Sequence, residues 1–227
     1  MTGLSVAIRT CDLCQEIGLG GTAVTGTCVG NEQRPGYSRL IRRTSVVDVL
    51  AGLGSVIPGY VLLMPRRHVR SIGELTIPEI SHVFDAAWRM ADRVVRVFGG
   101  SVVLVEHGSS GHEHGPSGAC IDHAHIHLFP LDTGINPSLF KVADIRPIND
   151  LAELSTLARQ RKNYYYCASD RTEGYLAVEP KLRSQQARRT WATAVGRPYE
   201  GYPKLSLKKS SPIAARNDDL KVFNGRR

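Results

Sequence analysis

Between Asp122 and Phe129 histidine alternates with apolar residues, in the order His123, Ala124, His125, Ile126, His127, Leu128 and Phe129. In an extended strand successive side chains point to opposite faces, so this spacing predicts a strand over Ile121 to Phe129 with all three imidazoles on one face. An exposed polar face could show the same alternation. The apolar frame of Ile121, Ala124, Ile126, Leu128 and Phe129 argues instead for a strand packed in a sheet. Neutral imidazole is a good nucleophile near pH 7 and, once protonated, a good acid, so the sheet carries chemistry.

The rest of the chain reads as a mixture of strands and helices around that element. Short apolar runs predict strands at Ser38 to Thr44, Val46 to Leu50, Tyr60 to Met64 and Ser101 to Glu106. Pro65 ends the third of these. From Pro78 to Phe98 the residues Ile80, Val83, Phe84, Ala87, Ala91, Val94, Val95 and Phe98 recur at helical spacing. Pro78 suits a first turn, and Gly99-Gly100 closes the helix. His107 to Cys120 reads as a long loop rich in Gly, Ser and His, and Gly18 to Gly36 as a Gly/Thr-rich one. Beyond Pro130, helices are expected at Ile148 to Arg159 and Arg183 to Val195, with strands at Asn163 to Ala168 and Tyr175 to Val178. Tyr164, Tyr165 and Tyr166 are expected to pack on both faces of their strand.

Charged residues at 22% and hydrophobic residues at 42% exclude a disordered or fibrous chain and fit a soluble globular one. At 227 residues, one domain with an extension is expected. The first residues lack an apolar leader, and no run approaches a membrane span, so a cytoplasmic location and no membrane partner are expected. The net charge of +8 is uneven, since Lys181 to Arg227 alone carries +9. Such a tail attracts phosphates of nucleotides or nucleic acids, or is simply solvated. Five cysteines are an odd number, and Cys11-x-x-Cys14 reads in a reducing compartment as metal or redox chemistry. A thioredoxin-like pair would need a following helix, which the Gly/Thr-rich segment does not offer.

The run Asp122-His123-Ala124-His125-Ile126-His127-Leu128-Phe129 resembles the motif of the histidine triad superfamily. Gly59-Tyr60-Val61-Leu62-Leu63-Met64-Pro65-Arg66-Arg67-His68 is similar to that family's upstream strand, which ends in Pro, a basic residue and His. Glu106-His107-Gly108 and Gly118-Ala119-Cys120-Ile121-Asp122 resemble a bacterial branch of it. The resemblance covers about residues 8 to 131. It implies an α+β fold with an antiparallel sheet of about five strands, a long packed helix and a C-terminal α/β extension. The expected division is a catalytic domain with an N-terminal zinc-binding segment over 1–131, an extension over 132–200 and a basic tail over 201–227.

The resemblance also implies roles. His125 would be a nucleophile toward the α-phosphorus of a nucleotide, forming a nucleotidyl-histidine intermediate, and His127 would contact the phosphate. Ser117, Gly118 and Cys120 lie where a turn could cradle the oxyanion. His107 stands where many relatives carry Asn, and Cys120 where some carry Ser, which puts the usual help to the leaving group in doubt. For zinc-containing members, the ligands that match are Cys11, Cys14, His68 and His123. Four such ligands make a closed, structural zinc site. His112 and His114 are alternative ligands. In the extension, Ser184-Gln185-Gln186-Ala187-Arg188-Arg189 also resembles the bacterial branch, so Gln185 and Arg188 are expected near substrate.

The activity expected is a nucleotide hydrolase acting on a phosphate ester, phosphoramidate or dinucleoside polyphosphate. A nucleotidyltransferase or a dinucleoside polyphosphate phosphorylase is the alternative enzyme. A zinc-stabilised nucleic-acid or nucleotide-binding module is the alternative without catalysis. Family members are often homodimers.

Overall fold

The computed structural model describes residues 11, 13–14, 40–52, 55–109 and 123–199. Eight strands form one sheet: β1 (Leu40–Arg43), β2 (Val47–Ala51), β3 (Val61–Pro65), β4 (Ser101–Gly108), β5 (Ile126–Leu131), β6 (Arg146–Ile148), β7 (Tyr164–Ala168) and β8 (Gly174–Val178). Their spatial order is β1-β2-β3-β5-β4-β7-β8-β6, and every neighbouring pair is antiparallel. Among the described residues three complete α-helices accompany it: α1 (Ile77–Phe98), α2 (Ala152–Arg159) and α3 (Gln186–Ala194).

Helix α1 is locally encoded at both ends. The Thr76 side chain accepts from the Glu79 amide while the Glu79 carboxylate accepts from the Thr76 amide, a reciprocal cap, and Pro78 occupies the first turn. Gly99 ends it at φ 78°, a conformation that glycine adopts without strain, and its N–H donates to the Val95 carbonyl. Ile80, Val83, Phe84, Ala87, Met90, Ala91 and Val94 are its buried stripe. That stripe packs on one sheet face with Val61, Leu63, Leu104, Ile126 and Leu128.

Alternation along the same strands sends Tyr60, Leu62, Met64, Val103, Val105 and Phe129 to the opposite face. This second core is closed by α3, whose Trp191 is fully buried and donates from its indole N–H to the Pro130 carbonyl at 2.7 Å. Its ring lies 4.8 Å from that of Tyr60 and 5.2 Å from that of Phe129. Tyr164 and Tyr166 join the α1 side and Tyr165 the α3 side, so the tyrosine strand packs on both faces as expected.

Several expectations need correction. The sheet has eight strands rather than about five, because β7 of the extension pairs directly with β4 and carries β8 and β6 onward. The α+β class holds. β5 begins at Ile126, not Ile121: the ladder to β3 stops at the Leu63–Ile126 pair, and the Ala124 amide donates to the Val69 carbonyl at 2.7 Å. His123 and His125 therefore precede the strand, and only His127 lies within it. His107 is not in a loop but in β4, opposite Tyr165. Ile148 belongs to β6, so α2 starts only at Ala152. Pro147 is tolerated in β6 because that strand is at the edge of the sheet. Gln185 has φ 61°, a left-handed turn that delays α3 to Gln186. No helix among the described residues is long and apolar enough to cross a membrane.

Candidate functional site

Two clusters share the segment His123 to His127. In the first, Cys11, Cys14, His68 and His123 bring four ligand atoms within 4.8 Å of one another. Cys14 Sγ lies 3.3 Å from His68 Nδ1 and 3.2 Å from His123 Nδ1, and Cys11 Sγ lies 3.8 Å from His123 Nδ1. The opposite nitrogen of His123, Nε2, is 2.8 Å from the Pro65 carbonyl. A carbonyl can only accept, so Nε2 carries the proton and Nδ1 presents a lone pair to the sulfurs. Two thiols and two imidazoles so arranged could hold a metal ion. Hydrogen bonding from the Cys14 thiol is the main cause that lowers the Cys11 thiol, and the same contact raises that of Cys14. One thiolate thus forms readily and the second proton must leave as a cation enters.

In the second cluster, His125, His127 and His107 are gathered on the α3 side. His125 Nδ1 is 2.7 Å from the His123 carbonyl and must donate to it, which leaves Nε2 unprotonated in the neutral ring. His125 and His127 have ring centroids 4.6 Å apart, and His107 meets His127 edge-on at 5.6 Å. All three are buried. Burial pushes His125 down to about 4, although the His123 carbonyl opposes the shift. Burial, and then His125, His107 and Arg188, holds His127 well below the ordinary imidazole range. Neutral imidazoles with one defined lone pair can attack an electrophile, and the neighbouring cation Arg188 favours an anionic one.

The extension supplies that cation. Arg188 on α3 is buried with its guanidinium carbon 5.6 Å from the Tyr60 ring centroid. Gln185, at the start of α3, accepts a hydrogen bond from the Tyr199 hydroxyl. Ser117, Gly118 and Cys120, like His112 and His114, lie outside the described residues. The expected ligands, together with His107, His125, His127 and Arg188, are therefore brought together, while the turn is not described.

Tyr60 is the residue that the sequence reading passed over. Its hydroxyl lies 2.8 Å from His127 Nδ1, and its ring is 7° from parallel with the imidazole. Gly59, at φ 92°, turns the chain into β3 so that Tyr60 enters the second core. A Cβ on Gly59 would lie 2.8 Å from the Phe98 ring. Tyr60 stood within the quoted strand motif, but nothing in a β period tells a packing tyrosine from one that touches an imidazole.

Residues 35–134, a little under half of the chain, match the HIT domain. Over 97 residues the chain is 27% identical to the bis(5'-nucleosyl)-tetraphosphatase [asymmetrical] of Schizosaccharomyces pombe, covering 42% of this chain and 50% of that protein. Over 95 residues it is 28% identical to the bis(5'-adenosyl)-triphosphatase of Dictyostelium discoideum, covering 41% of this chain and 60% of that protein. The matched stretch thus spans little more than half the length of these relatives. A Zn-bound histidine triad family protein from Mycobacterium smegmatis is structurally similar with a TM-score of 0.42 at 12% identity, over 68% of this chain and 94% of that one.

Proposed function

We propose that this protein is a nucleotide hydrolase that acts at the α-phosphorus of a nucleoside phosphate ester, phosphoramidate or dinucleoside polyphosphate through a nucleotidyl-histidine intermediate. The observation that carries the reading is the hydrogen bond from His125 Nδ1 to the His123 carbonyl, which aims the chemistry at Nε2. Nε2 attacks phosphorus, the bond to the leaving group breaks, and that group departs with the electron pair. Water then cleaves the phosphorus–nitrogen bond and returns His125. His127 and Arg188 are assigned to the phosphate oxygens, where donors and positive charge favour the charge that develops. His107, beside His127, is assigned to the leaving-group side, where an imidazole can donate a proton. Ser117, Gly118 and Cys120 are assigned to the phosphate turn and Gln185 to the substrate rim, as the family resemblance implies.

The cation of the first cluster is assigned as zinc, held by Cys11, Cys14, His68 and His123. The fit rests on the soft sulfur donors and on the Pro65 carbonyl that fixes the His123 tautomer. A fully ligated ion supplies structure rather than reactivity, because no coordination position remains for substrate. It ties the N-terminal cysteines to the segment that holds His125. The domain limits of 1–131, 132–200 and 201–227 and a cytoplasmic location belong to the same reading.

The test is trapping. Brief incubation with a radiolabelled dinucleoside polyphosphate should leave label on the wild-type protein that is acid-labile and absent in His125→Ala. Undiminished turnover in His125→Ala would refute the assignment. Product analysis with and without inorganic phosphate separates a hydrolase from a phosphorylase.

A further inference from the structure

Tyr60 lies outside the histidine run, just before the strand β3 that pairs with β5, yet it makes the contact that determines what His127 can do. A neutral imidazole has one N–H and one lone pair, and the partner of one nitrogen sets the state of the other. His125 is set by a carbonyl, which fixes its proton on Nδ1. Among the described residues no carbonyl meets His127 Nδ1. Its Nδ1 faces a phenol at 2.8 Å.

We propose that Tyr60 is a positioning residue that donates its hydroxyl proton to His127 Nδ1 and thereby keeps the His127 proton on Nε2, where it can be donated to a phosphate oxygen. The inference rests on the reading of His125 and His127 given above. It makes the two neighbouring imidazoles opposite tautomers, with His125 Nε2 bearing a lone pair and His127 Nε2 bearing a hydrogen. Were both lone pairs exposed, His127 would repel the phosphate oxygens that His125 must approach.

The surroundings hold the phenol in the attitude this needs. Tyr60 is fully buried, its ring is 5.1 Å from that of Phe129 and 3° from parallel, and Trp191 of α3 lies against it at 4.8 Å. Phe129 in turn lies 5.1 Å from His127 and 10° from parallel with it. The Tyr60 and His127 rings are thus brought into nearly the same orientation by a shared neighbour, so the hydroxyl can meet the imidazole lone pair near its plane. Arg188 adds a reason for the direction of donation. Its guanidinium sits over the Tyr60 ring, and a nearby cation favours a phenol polarised toward releasing its proton and disfavours a second proton on His127. No covalent bond changes in this relay. One proton stays on oxygen and one on nitrogen, each shared in a hydrogen bond.

Tyr60→Phe removes the hydroxyl and keeps the ring in its packing. The first readout is the imidazole ¹⁵N spectrum of uniformly ¹⁵N-histidine-labelled protein, with His127 assigned by difference from His127→Asn. In the wild type, His127 should show a bare Nδ1 and a protonated Nε2. In Tyr60→Phe the two nitrogens should move toward a mixture of tautomers. The second readout is kinetic: kcat should fall about 10- to 100-fold with KM changed less than about threefold, as expected when an oriented donor rather than a binding group is lost. A wild-type His127 protonated on Nδ1 would overturn the proposal, as would an unchanged tautomer in Tyr60→Phe. Full retention of kcat would also overturn it. The spectrum requires no turnover, so it separates failure of this inference from failure of the nucleophile assignment, which the trapping experiment tests.

Discussion

Glu106 lies fully buried in β4, next to His107, and offers a prediction whose size follows from its surroundings. Its Oε1 accepts from the Ile72 amide at 2.9 Å, but Oε2 has no hydrogen-bond partner among the described residues. Burial is the main cause that raises its carboxyl from 4.5 to about 7, and the Ile72 amide and the Tyr164 hydroxyl only partly oppose it. Because the folded-state value is raised, the folded state binds the proton more tightly than the unfolded chain. The resulting stabilisation is fully present below the unfolded value and is lost as pH rises through about 7. Integrating this linkage between pH 5 and pH 8 gives a loss of roughly 2–3 kcal/mol from this one group. Glu106→Gln keeps the acceptor for Ile72 and mimics the neutral acid. It should have nearly wild-type stability at pH 5 and exceed the wild type by up to roughly 2–3 kcal/mol at pH 8. Urea unfolding at both pH values measures this as a difference between the two proteins, so titration of the thiols and imidazoles cancels. Parallel pH profiles for the two proteins would refute the reasoning.

Two further perturbations test the architecture of the site. Protein purified without chelators should hold about one zinc per chain, and Cys14→Ser should lose it. Melting should then fall by roughly 6–12 °C, as expected when a buried ligand worth about 3 kcal/mol is lost from a chain of this size. Undiminished metal content in Cys14→Ser would remove the four-ligand assignment. In Gly59→Ala the new Cβ must adopt a positive φ and press on Phe98. The expected loss is about 2–3 kcal/mol by chemical denaturation. A change within about 0.5 kcal/mol would show that the turn into β3 is not under this constraint.

How much of this was legible before the structure depends on whether the signal was local. Helix α1 could be read because Thr76, Pro78, Glu79 and Gly99 are neighbours of the elements they cap, and its apolar stripe has one period. β2, β3 and the start of β4 were legible as short apolar runs. The Cys/His cluster was legible through the family resemblance, and its four residues do converge. What stayed hidden is set by partners distant in sequence. His107 looks like loop because Gly108 and the residues after it do, yet Tyr165 of β7 pairs with it and extends β4. The three histidines look like one strand, yet Pro65 accepts from the His123 ring and the Val69 carbonyl takes the Ala124 amide, which pulls the first two out of the ladder. Three-residue β6 has no periodicity to detect, and its Pro147 reads as a break. Tyr60 was visible as a residue but not as a partner of His127, because strand alternation gives a face and not a contact.

The pairing of β7 with β4 also bears on how the chain is made. Strands β1 to β5 emerge from the ribosome first, and until Tyr164–Ala168 follows, β4 has one unpaired edge of backbone donors and acceptors. At about 5–20 residues per second that interval lasts a few seconds, long enough for a nascent edge to meet another chain. Helix α3 comes later still, bringing Trp191 and Arg188. The imidazole face of the sheet is therefore among the last surfaces to be covered during synthesis, and a chain interrupted before α3 would present its apolar histidine face to whatever chaperone or neighbour it met.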